Sequence, residues 1–236
     1  MKNSKIFFII FLLTVLTGCV AQPQVPIQFA RESLPTNSNI GVVMESMPDI
    51  QTTFPGAGCL LCLATASVAN SSLSKHVQSF SAKDLLELKS EVKANLEAQD
   101  HNVILINRSA SLEKLPKVKS KAPNSAKRDF KQFKTSNNIE YLVVIDIDYV
   151  GVQRNYSSYI PTAAPQAVVT GAGYMVNLNS NTYVWYAPLK IYRSAEGEWD
   201  EPPNFPGMTN AFYQAIEQAR DAITKPLAPE IQNASR

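Results

Sequence analysis

Histidine is scarce in this chain, and that scarcity argues against common catalytic chemistry. Only two of the 236 residues are histidines, His76 and His101, so little imidazole is present for general acid–base catalysis. Neither lies near a nucleophile in a recognisable motif, and we expect both to be solvated surface residues. We therefore predict a protein that is not an enzyme, with no catalytic residues, no cofactor and no metal site.

Neither sign of charge is in excess. Lysine and arginine together number 22, against 20 aspartates and glutamates. Lys2 and Lys5 lie in a segment that we expect to be removed, which leaves 20 basic residues against 20 acidic ones. A neutral mature chain lacks the basic surface that nucleic acids require, so we predict no nucleic-acid partner.

The sequence also lacks an apolar run of the roughly 20 residues that a membrane-spanning helix needs. Its most apolar stretch, Ile6 to Val15, is interrupted only by Thr14 and follows Lys2 and Lys5. A basic start followed by a short apolar core is typical of a secretion signal. We predict a signal peptide over residues 1–18 and no permanent transmembrane anchor.

The tetrapeptide Leu16-Thr17-Gly18-Cys19 ends this segment and resembles the lipobox of bacterial lipoproteins. The resemblance implies that Cys19 carries a diacylglyceryl group and a further acyl chain such as palmitate, an anchor that holds without spanning the membrane. An aspartate after the cysteine commonly retains lipoproteins at the inner membrane, and Val20 stands there instead. The family pattern therefore implies the periplasmic face of the outer membrane. The alternative is an ordinary signal peptide that happens to contain a cysteine.

Proline and small polar residues dominate the sequence after the lipobox. Pro23, Pro26 and Pro35 occur there among few core candidates, a composition that predicts a flexible tether over residues 19–38. Residues 39–227 are long and apolar enough to fill one core. We predict a single globular domain over that range and a C-terminal tail over residues 228–236.

The hydrophobic periodicity of the domain alternates between strands and helices. It predicts helices over 82–99 and 125–137, a closing helix that stops before Pro226, and strands over 40–44, 103–106, 141–149, 167–178 and 182–192. Gly171 and Gly173 suggest a bulge in the strand over 167–178. The order predicts an α/β (α+β) fold, a mixed sheet of about five strands with helices packed on it. In element order alone it is similar to the periplasmic lipoprotein domains of the curli secretion channel and to the amino-terminal domain of TolB.

Asp146 and Asp148 alternate along the predicted strand over 141–149, so they are expected to share one face of the sheet. Such a pair could bind a cation or take part in acid–base chemistry. No third ligand is visible in the sequence, and we favour an exposed strand end.

Two of the three cysteines form the motif Cys59-Leu60-Leu61-Cys62 within the apolar stretch Ala57 to Ala69. In an oxidising compartment this pair can form a disulfide. A thiol-redox role is the alternative, but burial among leucines would raise the thiol pKa, so we favour a structural pair. About 13 residues are too few to span a bilayer. The stretch is either buried core or an exposed apolar surface, formed by Leu60, Leu61 and Leu63, that docks on a subunit or dips into the membrane interface.

These features predict a membrane-anchored envelope lipoprotein that acts by binding, as an assembly or accessory subunit of an outer-membrane complex. Its partner would be another protein or a second copy of the chain. A periplasmic thiol-redox protein using Cys59 and Cys62 is one alternative, and a hydrolase of envelope polymers is another.

Overall fold

The computed structural model describes residues 23–107, 111–120 and 122–230. The predicted signal peptide and Cys19 lie outside these residues. The strands are β1 (Asn39–Met44), β2 (Gln51–Thr53), β3 (Asn102–Leu105), β4 (Tyr141–Gln153), β5 (Tyr156–Ser157), β6 (Ile160–Pro161), β7 (Gln166–Asn177) and β8 (Thr182–Ser194). The α-helices are α1 (Leu60–Ala69), α2 (Ser71–Val77), α3 (Lys83–Glu97), α4 (Gln132–Asn137) and α5 (Pro206–Thr224).

Six of the strands form one mixed sheet in the order β3-β1-β4-β7-β8, with β2 also paired to β4. Strand β1 runs parallel to β3 and β4, whereas β7 runs antiparallel to β4 and β8. The short strands β5 and β6 form a separate hairpin. The prediction of a mixed sheet with helices packed on it is confirmed, with β2 as a strand that the periodicity did not indicate.

The centre of the sheet is β4, whose apolar sequence accounts for its position. Residues Tyr141 to Ile145 are all buried, because β1 and β7 flank the strand and both faces of the sheet are covered here. A continuous apolar run is typical of a strand in that position.

Helices α3 and α5 cover one face of the sheet. Their apolar residues recur at helical spacing, so each helix buries one stripe against the strands. In α3 the buried side chains are Leu85, Leu88, Val92 and Leu96. The guanidinium of Arg220 on α5 donates to both carboxylate oxygens of Glu91 on α3, at 2.8 and 3.0 Å. This ion pair joins the two helices, which lie side by side on the sheet.

Part of the opposite face is covered by the described residues between 106 and 139, most of which are irregular. The prediction of a helix over 125–137 is wrong in its first half, since α4 begins only at Gln132. The reason is a competing pairing with the edge of β8. Tyr183 N–H donates to the Asn124 carbonyl at 2.7 Å, and Ala126 N–H donates to the Asn181 carbonyl at 2.9 Å.

The chain before β1 is docked on the domain, which corrects the prediction of a flexible tether through residue 38. Ile27 exchanges two backbone hydrogen bonds with Tyr186 on β8, at 2.9 and 3.0 Å. Leu34 is buried in the core, and Arg31 donates to the carbonyls of Pro226 and Ala228. An edge strand presents unpaired backbone groups, and this segment satisfies some of those of β8.

The predicted bulge occurs one strand away from the expected place. The register shifts in β4 between Ile147 and Tyr149, opposite Gly171, so Asp148 is the extra residue. Gly171 has φ +150°, and a Cβ there would lie 2.1 Å from the Asp146 carbonyl oxygen. Only glycine suits this close approach of two backbones.

Candidate binding surface

The leucines of helix α1 are exposed, which argues against the buried-core alternative for the apolar stretch. Leu60 is 90% exposed, Leu61 71% and Leu63 47%, and Val68 near the other end is 76% exposed. Only Cys62 and Ala66 of this helix are buried. The segment is therefore not core of this domain.

The surroundings of α1 in the sequence carry no charge. Residues 50–74 contain no lysine, arginine, aspartate or glutamate. Ten residues of helix measure about 15 Å, half the thickness of a bilayer core. No helix within the described ranges is long and apolar enough to cross a membrane. An uncharged helix that is apolar on nearly every side is ordinarily found buried.

A small core cluster of its own holds α1 to the domain. Cys62 and Ala66 pack against Ala57 and Tyr156, with Phe54 alongside. The rings of Phe54 and Tyr156 meet edge to face, with their centroids 5.9 Å apart. The helix therefore buries only a narrow stripe, and its remaining sides do not pack on this cluster.

A buried polar network fixes the carboxyl end of α1. Asn70 is 2% exposed, and its amide nitrogen donates to the Tyr156 hydroxyl at 2.6 Å and to the Ala66 carbonyl at 2.7 Å. Arg154 donates to the Asn70 side-chain oxygen at 2.7 Å, and its guanidinium lies 4.6 Å from the centre of the Trp199 ring. These hydrogen bonds give the end of the helix one defined position, although Arg154 Nε is buried without a hydrogen-bond partner.

The amino end of α1 is fixed by the cysteine pair. Cys59 and Cys62 are joined by a disulfide. Cys59 is the N-cap residue, and its Sγ accepts a hydrogen bond from Cys62 N–H at 2.9 Å. Cys59 is exposed and Cys62 is buried. Cys59 thus lies at the positive end of the helix dipole, a position that the sequence alone did not indicate.

The β5–β6 hairpin extends the apolar surface beside the disulfide. The Tyr159 hydroxyl lies 3.7 Å from Cys59 Sγ, and Tyr159 and Ile160 are 52% and 69% exposed. The position of these two residues beside α1 was not predictable from the sequence, because they lie about 100 residues from that helix. We define the apolar surface as the exposed side chains of Leu60, Leu61, Leu63, Val68, Tyr159 and Ile160.

The apolar surface lies far from the point where the described chain begins. Ile27 pairs with Tyr186 on β8, Tyr186 pairs with Tyr174 on β7, and Tyr174 pairs with Val144 on β4. Ile27 therefore lies level with Val144 along the strands. Helix α1 packs beyond the end of β4 at Gln153. At about 3.3 Å per residue, nine residues of strand separate the two levels by roughly 30 Å.

The two aspartates singled out in the sequence do share one face, but they do not form a simple exposed strand end. Asp146 is half-buried, and it lines a cavity together with Asp148, Glu45 and Glu113. Burial raises the pKa of Asp146 to about 6, and the charges of Asp148, Glu45 and Glu113 act in the same direction. The fold thus brings together carboxylates that are widely separated in the sequence.

The prediction of solvated histidines is wrong for both residues. His76 is half-buried between the rings of Phe80 and Phe205, with centroids 4.9 and 5.5 Å away, and its Nε2 lies 2.9 Å from Thr209 Oγ1. His101 is also half-buried, and burial lowers its pKa, an effect that Asp100 partly opposes.

The sequence matches no protein-family model and no curated protein. Among solved structures, the PelC dodecamer from Paraburkholderia phytofirmans is 11% identical, covers 88% of this chain and 96% of its own, and superposes with a TM-score of 0.35. A neuraminyllactose-binding hemagglutinin homolog from Helicobacter pylori is 12% identical, with 88% and 90% of the two chains covered and a TM-score of 0.36. The hypothetical protein CT253 from Chlamydia trachomatis is 12% identical, with 78% and 97% covered and a TM-score of 0.30.

Proposed function

We propose that this protein is a lipid-anchored envelope protein that acts by binding, as an assembly or accessory subunit of an outer-membrane complex. Its apolar surface docks into an apolar groove of a partner protein. The observation that carries the proposal is α1, a helix apolar on nearly every side whose leucines are 47–90% exposed. A helix of that kind is stable in water only at the cost of exposed apolar area, which a partner removes.

The charge pattern supports a protein partner over a lipid surface. Helices that lie in a membrane interface carry lysine or arginine on their polar face. Residues 50–74, which include α1, contain neither. The helix is also fixed at both ends, by the disulfide and by Asn70. A rigid, uncharged ridge suits a preformed groove, because little conformational entropy is lost on docking.

The anchor is the second part of the proposal. Cys19 carries the lipid and holds the protein at the periplasmic face of the outer membrane, as the lipobox-like sequence implies. Since the described chain begins some 30 Å from α1 along the strands, the lipid and the apolar surface are separate points of attachment. Cys19→Ala is expected to abolish palmitate labelling and to leave a full-length precursor. Equal labelling of wild type and variant would contradict the anchor.

The docking surface is tested by Leu60→Asp combined with Leu61→Asp. Two buried leucines contribute about 4 kcal/mol to binding, roughly a thousandfold in affinity. We expect the detergent-extracted wild type to run as a complex in size-exclusion chromatography and the variant to run alone, with an unchanged thermal melt. Leu86→Asp is the matched control, because Leu86 on α3 is 60% exposed but lies outside the apolar surface. A double variant that stays in the complex overturns the proposal.

A thiol-redox role is the second candidate, favoured by the exposed N-cap position of Cys59 over the buried Cys62. This geometry would let Cys59 attack a substrate disulfide after reduction, with Cys62 resolving the mixed disulfide. The candidate requires that the protein catalyse insulin reduction by dithiothreitol and that Cys59→Ser abolish the activity. A wild-type rate equal to the uncatalysed rate eliminates it.

A further inference from the structure

The second face of the sheet is only partly covered, and a cavity opens where its cover ends. Leu112, Leu115 and Phe130 of the irregular segment pack on Leu142 and Val144 of β4. Further along β4, the next side chains on this face, Asp146 and Asp148, line a cavity of about 280 Å³. This volume lies just below the range of about 300–1,000 Å³ that is usual for small-molecule sites. The cavity is thus large enough for a small ligand group.

Three tyrosines form one wall of this cavity. The ring centroids of Tyr174 and Tyr183 are 5.3 Å apart, those of Tyr183 and Tyr186 5.3 Å, and those of Tyr174 and Tyr186 6.0 Å. The Tyr183 hydroxyl lies 3.4 Å from Lys127 N–H, which donates to it. Because the three rings pack on one another, they present a fixed aromatic wall. The faces of such rings attract cations.

The charges around the tyrosines are predominantly negative. Four carboxylates line the cavity, from Glu45, Glu113, Asp146 and Asp148, against the two cations of Lys127 and Arg128. The Arg128 guanidinium donates a hydrogen bond to the Leu115 carbonyl at 3.1 Å. The raised pKa of Asp146, caused by burial first and then by the other three carboxylates, is consistent with a site short of positive charge.

The carboxylates are too dispersed to bind one metal ion. Within the part of the chain that the structure describes, no group of three or more histidine, cysteine, aspartate or glutamate residues is placed to hold a metal. A larger cation can reach separated carboxylates and touch an aromatic wall at the same time. An alkylammonium group has both properties, since its head donates three hydrogen bonds and its methylenes pack on rings.

We infer that this cavity binds a protonated alkyl amine, whose ammonium head lies between Asp146 and Asp148 and whose methylene stem lies against Tyr174, Tyr183 and Tyr186. The amine is either a free small molecule or the side chain of a lysine in a partner protein. This site is independent of the apolar surface, which lies beyond the end of β4 and is formed by other residues. If one of the two proposals fails, the other is therefore unaffected.

The test is a calorimetric titration of the full chain in detergent with n-butylammonium chloride, with n-butanol as the uncharged probe of the same length. We expect saturable binding of the ammonium only. Asp146→Asn should weaken it at least tenfold, and Tyr186→Leu severalfold. Asp200→Asn, the same charge change at an exposed loop residue, should leave it unchanged. Binding of n-butanol equal to that of n-butylammonium overturns the inference, and so does equal affinity in Asp146→Asn that still melts cooperatively.

A second pair of titrations distinguishes the two sources of the amine. Nα-acetyl-lysine methylamide carries the same ammonium with a peptide-like backbone. Tighter binding of this probe than of n-butylammonium identifies a lysine side chain, and equal or weaker binding identifies a free amine. Affinity for both should rise from pH 5 to pH 7, as Asp146 ionises beside Glu45, Glu113, Asp148, Lys127 and Arg128. An affinity that falls over that interval contradicts the assigned role of the carboxylates.

Discussion

The apolar surface and the tyrosine-walled cavity are built in opposite ways. The first is a convex ridge without charge, contributed mainly by one short helix and its disulfide. The second is concave and acidic, assembled from Glu45 just after β1, from β4, β7 and β8, and from the irregular segment. A ridge presents area to a large partner, whereas a small charged cavity selects one chemical group. The two regions therefore fit different ligands and should respond to different substitutions.

The largest expected effect is that of Gly171→Ala, which should disrupt the cavity and leave the apolar surface intact. Gly171→Ala would place a Cβ 2.1 Å from the Asp146 carbonyl oxygen at φ +150°, so the β4–β7 pairing must shift. We expect a loss of about 3 kcal/mol of unfolding free energy, together with loss of n-butylammonium binding. The apolar surface should still support the complex.

The control for this substitution is Gly58→Ala, next to the apolar surface. A Cβ there meets nothing within 4 Å, so we expect no loss of stability in urea unfolding monitored by circular dichroism. The account of the β4–β7 contact is wrong if the two variants have the same unfolding midpoint.

A smaller effect is expected from Cys59→Ser combined with Cys62→Ser, which acts on the apolar surface alone. Opening a loop of this size removes about 2 kcal/mol in the chain-entropy account. Serine is also a good N-cap, so the loss reports the crosslink. Hydrogen exchange should show faster exchange of the α1 amides and unchanged protection of β4. Equal protection of α1 with and without the disulfide would show that Ala66 and Asn70 suffice to hold the helix.

The smallest expected effect is a gain in stability from Asp146→Asn, a substitution that changes only the cavity. The folded-state pKa of Asp146 is raised to about 6, so the folded state binds this proton more tightly than the unfolded chain does. Folding is thus penalised above pH 6, and the penalty disappears as the pH falls through 6 towards 4. Asp146→Asn should stabilise the protein by about 1 kcal/mol at pH 7.5, after allowing for the partial exposure of the carboxyl, and not at all near pH 4.

Denaturant unfolding at the two pH values measures this difference, with Asp200→Asn as the control of equal charge change. A destabilised Asp146→Asn at pH 7.5 would mean that the carboxylate has a favourable partner in the folded protein. That result would contradict the description of the cavity as acidic and short of cations.

The difference between the regions also explains what could be predicted from the sequence. The helical spacing of Leu85, Leu88 and Val92 and the apolar run in β4 indicated their elements, because these signals are local. The motif of Cys59 and Cys62 likewise drew attention to α1. The uncovered sides of that helix were not predictable, since periodicity does not show what packs against a segment.

The cavity could not be predicted, because its residues meet only through the sheet. Asp146 and Asp148 were noticed as a pair, but Glu45 and Glu113 reach them from about 100 and 30 residues away. The docking of Ile27 and Arg31 on the domain was hidden for the same reason. Their proline-rich surroundings are typical of a tether. The edge of β8 that pairs with Ile27 is about 160 residues distant, and the carbonyls that accept from Arg31 are about 200 residues distant.

The central claim, that the apolar surface docks on a partner protein, is tested most directly by photo-crosslinking in intact cells. A photoreactive phenylalanine analogue replaces Leu61 in the full chain, and a second variant carries it at Leu86. We expect position 61 to give one discrete protein adduct, which disappears when Leu60→Asp is added, and position 86 to give none. An adduct of twice the mass of the chain would identify a second copy as the partner. Adducts to lipid alone at position 61, or the same protein adduct at both positions, would contradict the claim.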